Sequence, residues 1–374
     1  MAEAPESPSA GTPSPGTTGW RGWRIERRPT VSPLAWLASP VLALIATAGV
    51  AGLLFVWTGK EPWSALQVFF LEPMNGLRGW GEIGLKMTPL LLAALGLTLC
   101  YRANVWNIGA EGQLVAGGTL AGAVALLADQ HSPSAFFVLV MLAGALGGLL
   151  WGCLIALLRD HFNANEILVS LMLTYVAQLL LMYLVHGPLK DPNGYNFPYS
   201  ASFEAAALIP RILLPTRLNL GFVLALVAAV LVAVWLARSH AGYRLQVAGA
   251  APRAAAYAGF SARQSIWLSL LACGALAGLA GALEVAGPIE QLTPSISPGY
   301  GFAAIIVAWL ARLSPLGCIW AAFVMSVVYI GGELAQSRLG LPNAISAVLQ
   351  GVLLISLLTA DALVGWRLVT GRRP

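Results

Sequence analysis

Apolar runs of roughly 20 residues alternate with short polar, glycine- or arginine-bearing segments along nearly the whole chain. Runs of that length match what a helix needs to cross the hydrocarbon core of a bilayer. They predict helices over about residues 34–58, 84–101, 108–128, 135–158, 165–186, 218–237, 264–286, 300–311, 315–334 and 343–363. The eighth is too short to cross alone and reads as a partial or tilted helix. The expected fold class is an all-α polytopic membrane protein of about ten transmembrane helices. Residues 1–33 are rich in Pro, Ser, Gly and Thr and then basic at Arg21, Arg24, Arg27 and Arg28, the composition of a disordered tail. Residues 364–374 read as a second tail, which leaves 34–363 as the membrane domain.

Two segments interrupt the pattern. The first, RANVWNIGAEGQ at 102–113, carries Asn107, Glu111 and Gln113 between two long apolar runs. Polar groups beside hydrocarbon are costly and face a cavity or the protein interior. Broken helices are tolerated there for the same reason. The second, GPIEQLTPSISPGYGF at 287–302, ends on Tyr300 and Phe302. The two lie five spans apart on opposite sides of the membrane, so the chain reads as two inverted halves. Paired interruptions in inverted halves point to a translocation path.

Asn107 and Glu111, four residues apart, share a face if the segment is helical. They fit a path-lining role and a buried bracing network equally well. Glu166, Ser170, Thr174 and Gln178 are also spaced by four and form a slowly drifting polar stripe. Hydroxyls alone would suggest glue between helices; Glu166 and Gln178 tip the reading towards a cavity. Ser326, Tyr329 and Glu333 make a smaller stripe, as do Asn343, Ser346 and Gln350, and packing is the better reading of each. Glu284 sits among small residues in AGLAGALEVAG, where close helix packing is expected and the acid needs a partner within the fold.

Composition fixes the solvent: 58% of the 374 residues are hydrophobic and 10% charged, against about 25% charged in soluble domains. Mean hydropathy is +0.75. The net charge of +5 is better explained by loop placement than by nucleic acid. With the N-terminus inside, 14 of the 21 basic residues fall on the inner side, among them Arg102, Arg159, Arg238, Arg244, Arg253, Arg263 and Arg312. Lys60, Arg78, Lys86, Lys190, Arg211, Arg217 and Arg338 fall outside. That bias puts both termini in the cytoplasm. The four cysteines are dispersed with no CxxC pair, which disfavours a zinc site or a disulfide framework. No catalytic constellation and no GxxxxGK[ST] phosphate loop is present, so active transport would draw on an ion gradient or a separate ATPase. An ion-coupled transporter using Glu111, Glu166 and Glu284 is the alternative reading.

Of the loops, 187–217 on the outer side is long enough for a short helix or a docking surface. The inner loop 238–263 has four arginines and no acid. Within it PRAAAYAGF places Pro at a helix start and Gly at its end. On charge alone this reads as an ordinary positive-inside loop with local helicity.

The run YRANVWNIGAEGQLVAGG, then NEILVSLMLTYVAQLL, HGPLKDP, GYRLQVAGAAPRAAAYAGF, GALAGLAGALEVAG, SPGYGFAAIIVAWLARLSPLG and GLPNAISAVLQGVLL resemble, in order, the permease subunits of bacterial nucleoside and simple-sugar ABC importers. The resemblance covers about residues 40–362. It implies that 238–263 is a coupling loop whose short helix docks on an ATPase, carried by Gly242, Arg244, Gly249, Pro252, Arg253, Ala255, Tyr257, Ala258 and Gly259. It also implies a second homologous permease, an extracytoplasmic binding lipoprotein and a bacterial cell membrane, with ATP and Mg bound by the ATPase and no cofactor on this chain. Ala303 stands where the family usually has an acid, and Ala311 where it usually has glycine.

Overall fold

The computed structural model describes residues 23–27, 33–194, 196–342 and 344–370. Arg21, Arg28, Arg372, Arg373 and Asn343, like most of the predicted N-terminal tail, lie outside them. The helices are α1 (Pro33–Trp57), α2 (Pro62–Leu66), α3 (Gly76–Arg102), α4 (Ala110–Ala125), α5 (Phe136–Phe162), α6 (Glu166–His186) and α7 (Leu220–Arg238). They continue as α8 (His240–Ala250), α9 (Pro252–Tyr257), α10 (Ala262–Glu284), α11 (Tyr300–Leu310), α12 (Pro315–Leu339) and α13 (Ala344–Gly365). Each of the ten apolar runs yields a helix, and eight helices among the described residues are long and apolar enough to cross a membrane. The two that are not are α4, with 16 residues, and α11, with 11.

Side-chain caps set several helix starts. Asn165, Asn219, Ser239, Ser261 and Ser314 each accept a backbone N–H from the first turn of the helix that follows, satisfying a donor that has no partner within its helix. Helix α3 begins at Gly76, eight residues before the apolar run. Arg78, Glu82 and Lys86 lower the hydropathy of that turn without ending the helix. Glu82 accepts a two-pronged bond from Arg217 at 3.0 and 2.8 Å, which holds the guanidinium pKa above its ordinary value. Lys86 pairs with Glu333 at 3.1 Å, so it lies within a helix and not in an outer loop.

Helix α3 is buried along most of its length and packs against α10, α12 and α11; α10 in turn packs on α5 and α4. Small residues allow this. A Cβ on Gly278 of α10 would lie 2.2 Å from the Gly144 carbonyl oxygen and 2.7 Å from the Gly148 Cα, both on α5. Without side chains between them the two backbones touch, the packing expected where lipid supplies no hydrophobic drive. Helices α1, α6, α7 and α13 keep long exposed apolar faces.

Trp23–Arg27 forms a strand, β1, paired antiparallel with β2 (Trp366–Thr370) in the register Trp23↔Thr370 to Arg27↔Trp366. The two strands fall in the two expected tails, and each has its partner at the other end of the chain. The outer loop carries one short 3-10 turn, Ala205–Ala207, and straps the second break. Ser200 N donates to Leu292 O, Phe203 N to Glu290 O and Ile209 N to Ala286 O.

Candidate functional site

The two interruptions meet. Helix α4 starts one residue after Gly109 and α11 one residue after Gly299, which takes φ +95°. Their second helical residues, Glu111 and Gly301, are in contact: a Cβ on Gly301 would lie 2.2 Å from the Glu111 backbone nitrogen. The Glu111 carboxylate, 1% exposed, accepts the Gly301 N–H at 2.6 Å. Two helix N-termini facing each other bring together unpaired N–H groups and like partial charges. A carboxylate between them offsets both, which gives an acid in an apolar fold a specific task. Ser297 completes the α11 cap by accepting from Gly299 N at 3.1 Å and Tyr300 N at 2.9 Å.

The first break is held by side chains from four helices, α3, α4, α6 and α10. Asn107 Oδ1 accepts the Gly109 N–H at 2.9 Å, and its Nδ2 donates to Gln113 Oε1 at 3.2 Å and reaches Cys273 Sγ at 3.3 Å. Tyr101 donates to the Asn107 carbonyl at 3.0 Å. From α6, Ser170 Oγ accepts Ile108 N at 3.1 Å. Glu166 pairs with Arg159 at 2.6 Å. Ser170 and Thr174 are buried with their backbones against Gly109 and Gly112, so this part of the stripe packs on the start of α4.

Gln178, one turn further along, is half-buried and lines a cleft of about 370 Å³ with Tyr175, Val115, Ser295 and Ser297. Tyr300 is fully buried beneath Lys86, whose ammonium lies 5.6 Å from its ring centroid, and beside the Tyr329 ring at 5.3 Å. Glu284 is buried in the neighbourhood of Lys86, whose ammonium pairs with Glu333. Phe302 is 37% exposed. Ala303 is buried within α11, and Ala311 caps that helix with right-handed φ −73°, a conformation that does not require glycine. Ser297 is marked in the sequence only as a turn serine ahead of Pro298-Gly299.

At the arginine-rich end, α8 and α9 form the predicted short helical segment. Gly242 is buried against the end of α7, and Arg244 bonds Gln264 at 2.5 Å with its guanidinium 5.7 Å from the Phe260 ring centroid. Ala255 is buried, whereas Pro252, Arg253, Ala258 and Gly259 are exposed and Tyr257 is 98% exposed. Gly259 ends the segment at φ +78°.

Eight described helices long and apolar enough to cross a membrane, together with two half-helices that meet end to end, make this a multi-pass membrane protein. Residues 81–358 match the branched-chain amino acid transport system / permease component family, and the chain belongs to that family. It is 34% identical to the glucose ABC transporter permease protein TsgB13 of Haloferax volcanii, over 90% of this chain and 91% of that one. It is 30% identical to the guanosine ABC transporter permease protein NupP of Bacillus subtilis, over 91% and 98%. With the nucleoside ABC transporter permease protein NupB of Lactococcus lactis subsp. cremoris it shares 26% identity over 84% and 88%. The resemblance read from the sequence blocks is borne out: this is a translocation subunit of the ABC-transporter class, and such a subunit implies an ATPase partner.

Proposed function

We propose that the chain is the non-catalytic permease of an importer that moves nucleosides, related ribosides or simple sugars inward across a bacterial inner membrane. The observation that carries this reading is the projecting α9, whose Arg253 and Tyr257 are exposed beside buried Ala255. An exposed aromatic ring beside a cation on a short rigid helix suits insertion into a cleft on another protein. The partner would be the ATPase, which binds ATP and Mg; a second homologous permease and an extracytoplasmic lipoprotein would complete the complex. The arginine-rich end is then cytoplasmic, in line with the positive-inside bias.

The bonds of buried Asn107, Glu111, Gln113, Ser170 and Thr174 favour bracing of the half-helices over contact with cargo, as does the burial of Tyr300, and the ion pair of Glu166 with Arg159 gives that acid a partner within the fold. Gln178 and Phe302, each open on one side, are the remaining path candidates. Changing Arg253→Glu together with Tyr257→Ala should lower uptake about tenfold or more, as loss of two interface anchors would, and the ATPase should no longer co-purify through a tag on this chain. Full assembly and uptake in the double variant would remove α9 from the docking role.

A further inference from the structure

The arginine-rich segment is joined to the region of the first break at Arg102. Arg102 is the last residue of α3, immediately before the first break. Its Nη1 donates to Gln246 Oε1 of α8 at 2.8 Å, and its Nε donates to the Leu313 carbonyl at 2.7 Å. Gln246 is itself fixed, since its Nε2 donates to Leu236 O at 2.9 Å and Gly242 O at 3.3 Å. Backbone contact reinforces the joint: a Cβ on Gly249 of α8 would lie 2.0 Å from the Arg102 carbonyl oxygen. Leu313 lies in the turn between α11 and α12, where Arg312 and Leu313 take φ +52° and +56°. Two successive non-glycine residues in that region are costly and persist only where the surroundings hold them.

We propose that Arg102 is a positioning residue that passes motion of the α8–α9 segment to both half-helices. The proposal rests on the ATPase-driven reading and names the route by which docking would reach the centre. A shift of α8 pulls the Arg102 side chain through Gln246, while the Gly249 contact only keeps the two backbones adjacent. Arg102 moves the first break directly, because it is covalently continuous with residues 103–109. Through the Leu313 carbonyl it moves the far end of α11. The two half-helices join again at Glu111 and Gly301, so both ends of one connected unit are driven from one guanidinium. A planar fork with several donors holds two acceptors in different directions at once, whereas a lysine ammonium on a flexible stem does not substitute for it.

The test is hydrogen–deuterium exchange on the complex purified through a tag on this chain, with and without ATP plus vanadate. In the wild type, nucleotide should change exchange in 238–263, in 103–109 and in 311–314. In Arg102→Lys and in Gln246→Leu, which remove one link each without emptying the core, the complex should still co-purify with its ATPase. The change should then stay confined to 238–263 and be lost in the other two segments. The relay is overturned if the change still reaches 103–109 and 311–314 in both variants, if it never reaches them in the wild type, or if both variants fail to assemble, which would make the contact merely structural. A wild-type chain that captures no ATPase overturns the functional reading itself.

Discussion

Replacing Glu111 with alanine should reduce ATP-driven uptake about tenfold or more and lower the thermal midpoint of the purified complex. The carboxylate makes a charge-assisted bond to Gly301 N at 2.6 Å, and losing such a bond to a buried donor costs about 1.5–3 kcal/mol. Removing its charge from between two helix N-termini adds about 0.3–1 kcal/mol, approaching 2 in buried geometry. The half-helices would then separate or loosen. Glu111→Gln is the informative partner, because its amide oxygen still accepts the Gly301 N–H. The glutamine variant should assemble and keep most of its uptake. A transporter that carried protons or sodium on Glu111 would behave differently: glutamine would abolish uptake while leaving the fold intact. Uptake assays and thermal melts on the two variants separate these outcomes.

The second large effect is expected at Gly278. Its absent Cβ would meet only backbone atoms of Gly144 and Gly148, at 2.2 and 2.7 Å, so no rotamer change relieves the clash. Gly278→Ala should already destabilise the α5–α10 contact, and Gly278→Val should give no monodisperse complex. Costs above about 4 kcal/mol are exceptional for one substitution, and overpacking against backbone on two sides belongs in that tail. Gly351 in α13 is the control, since a Cβ there meets nothing within 4 Å. Gly351→Ala should be neutral or stabilise by up to about 1 kcal/mol through helix propensity. Size-exclusion profiles of the three variants suffice to check this.

The central architecture was legible because its signals are local. Apolar run length locates ten of the thirteen described helices, and the glycines and polar residues of 102–113 and 287–302 locate both breaks. What was hidden depends on partners far away in sequence. Helix α3 looked eight residues shorter than it is, because the charges that depress its first turns are matched by Arg217 and Glu333. The role of Glu111 could not be read without Gly301, 190 residues on. The same holds for β1, whose partner strand is at the opposite end of the chain. The shortness of α4 was masked by apolar Leu126 and Leu127, which continue the run after the helix has ended at Ala125. The four-residue spacing on α6 is visible in the sequence, but what each position meets is not: the α4 glycines that receive Ser170 and Thr174 are unmarked in a sequence rich in glycine, while Gln178 borders the cleft.

Reconstitution into proteoliposomes tests the central claim most directly. Labelled guanosine and glucose serve as probes, first with this chain alone and then with the complex that co-purifies with it. An ATPase-driven permease gives no concentrative uptake by the chain alone, with or without an ion gradient, and uptake by the complex that requires ATP hydrolysis and the binding protein. Uptake by the isolated chain that an ionophore abolishes would contradict it.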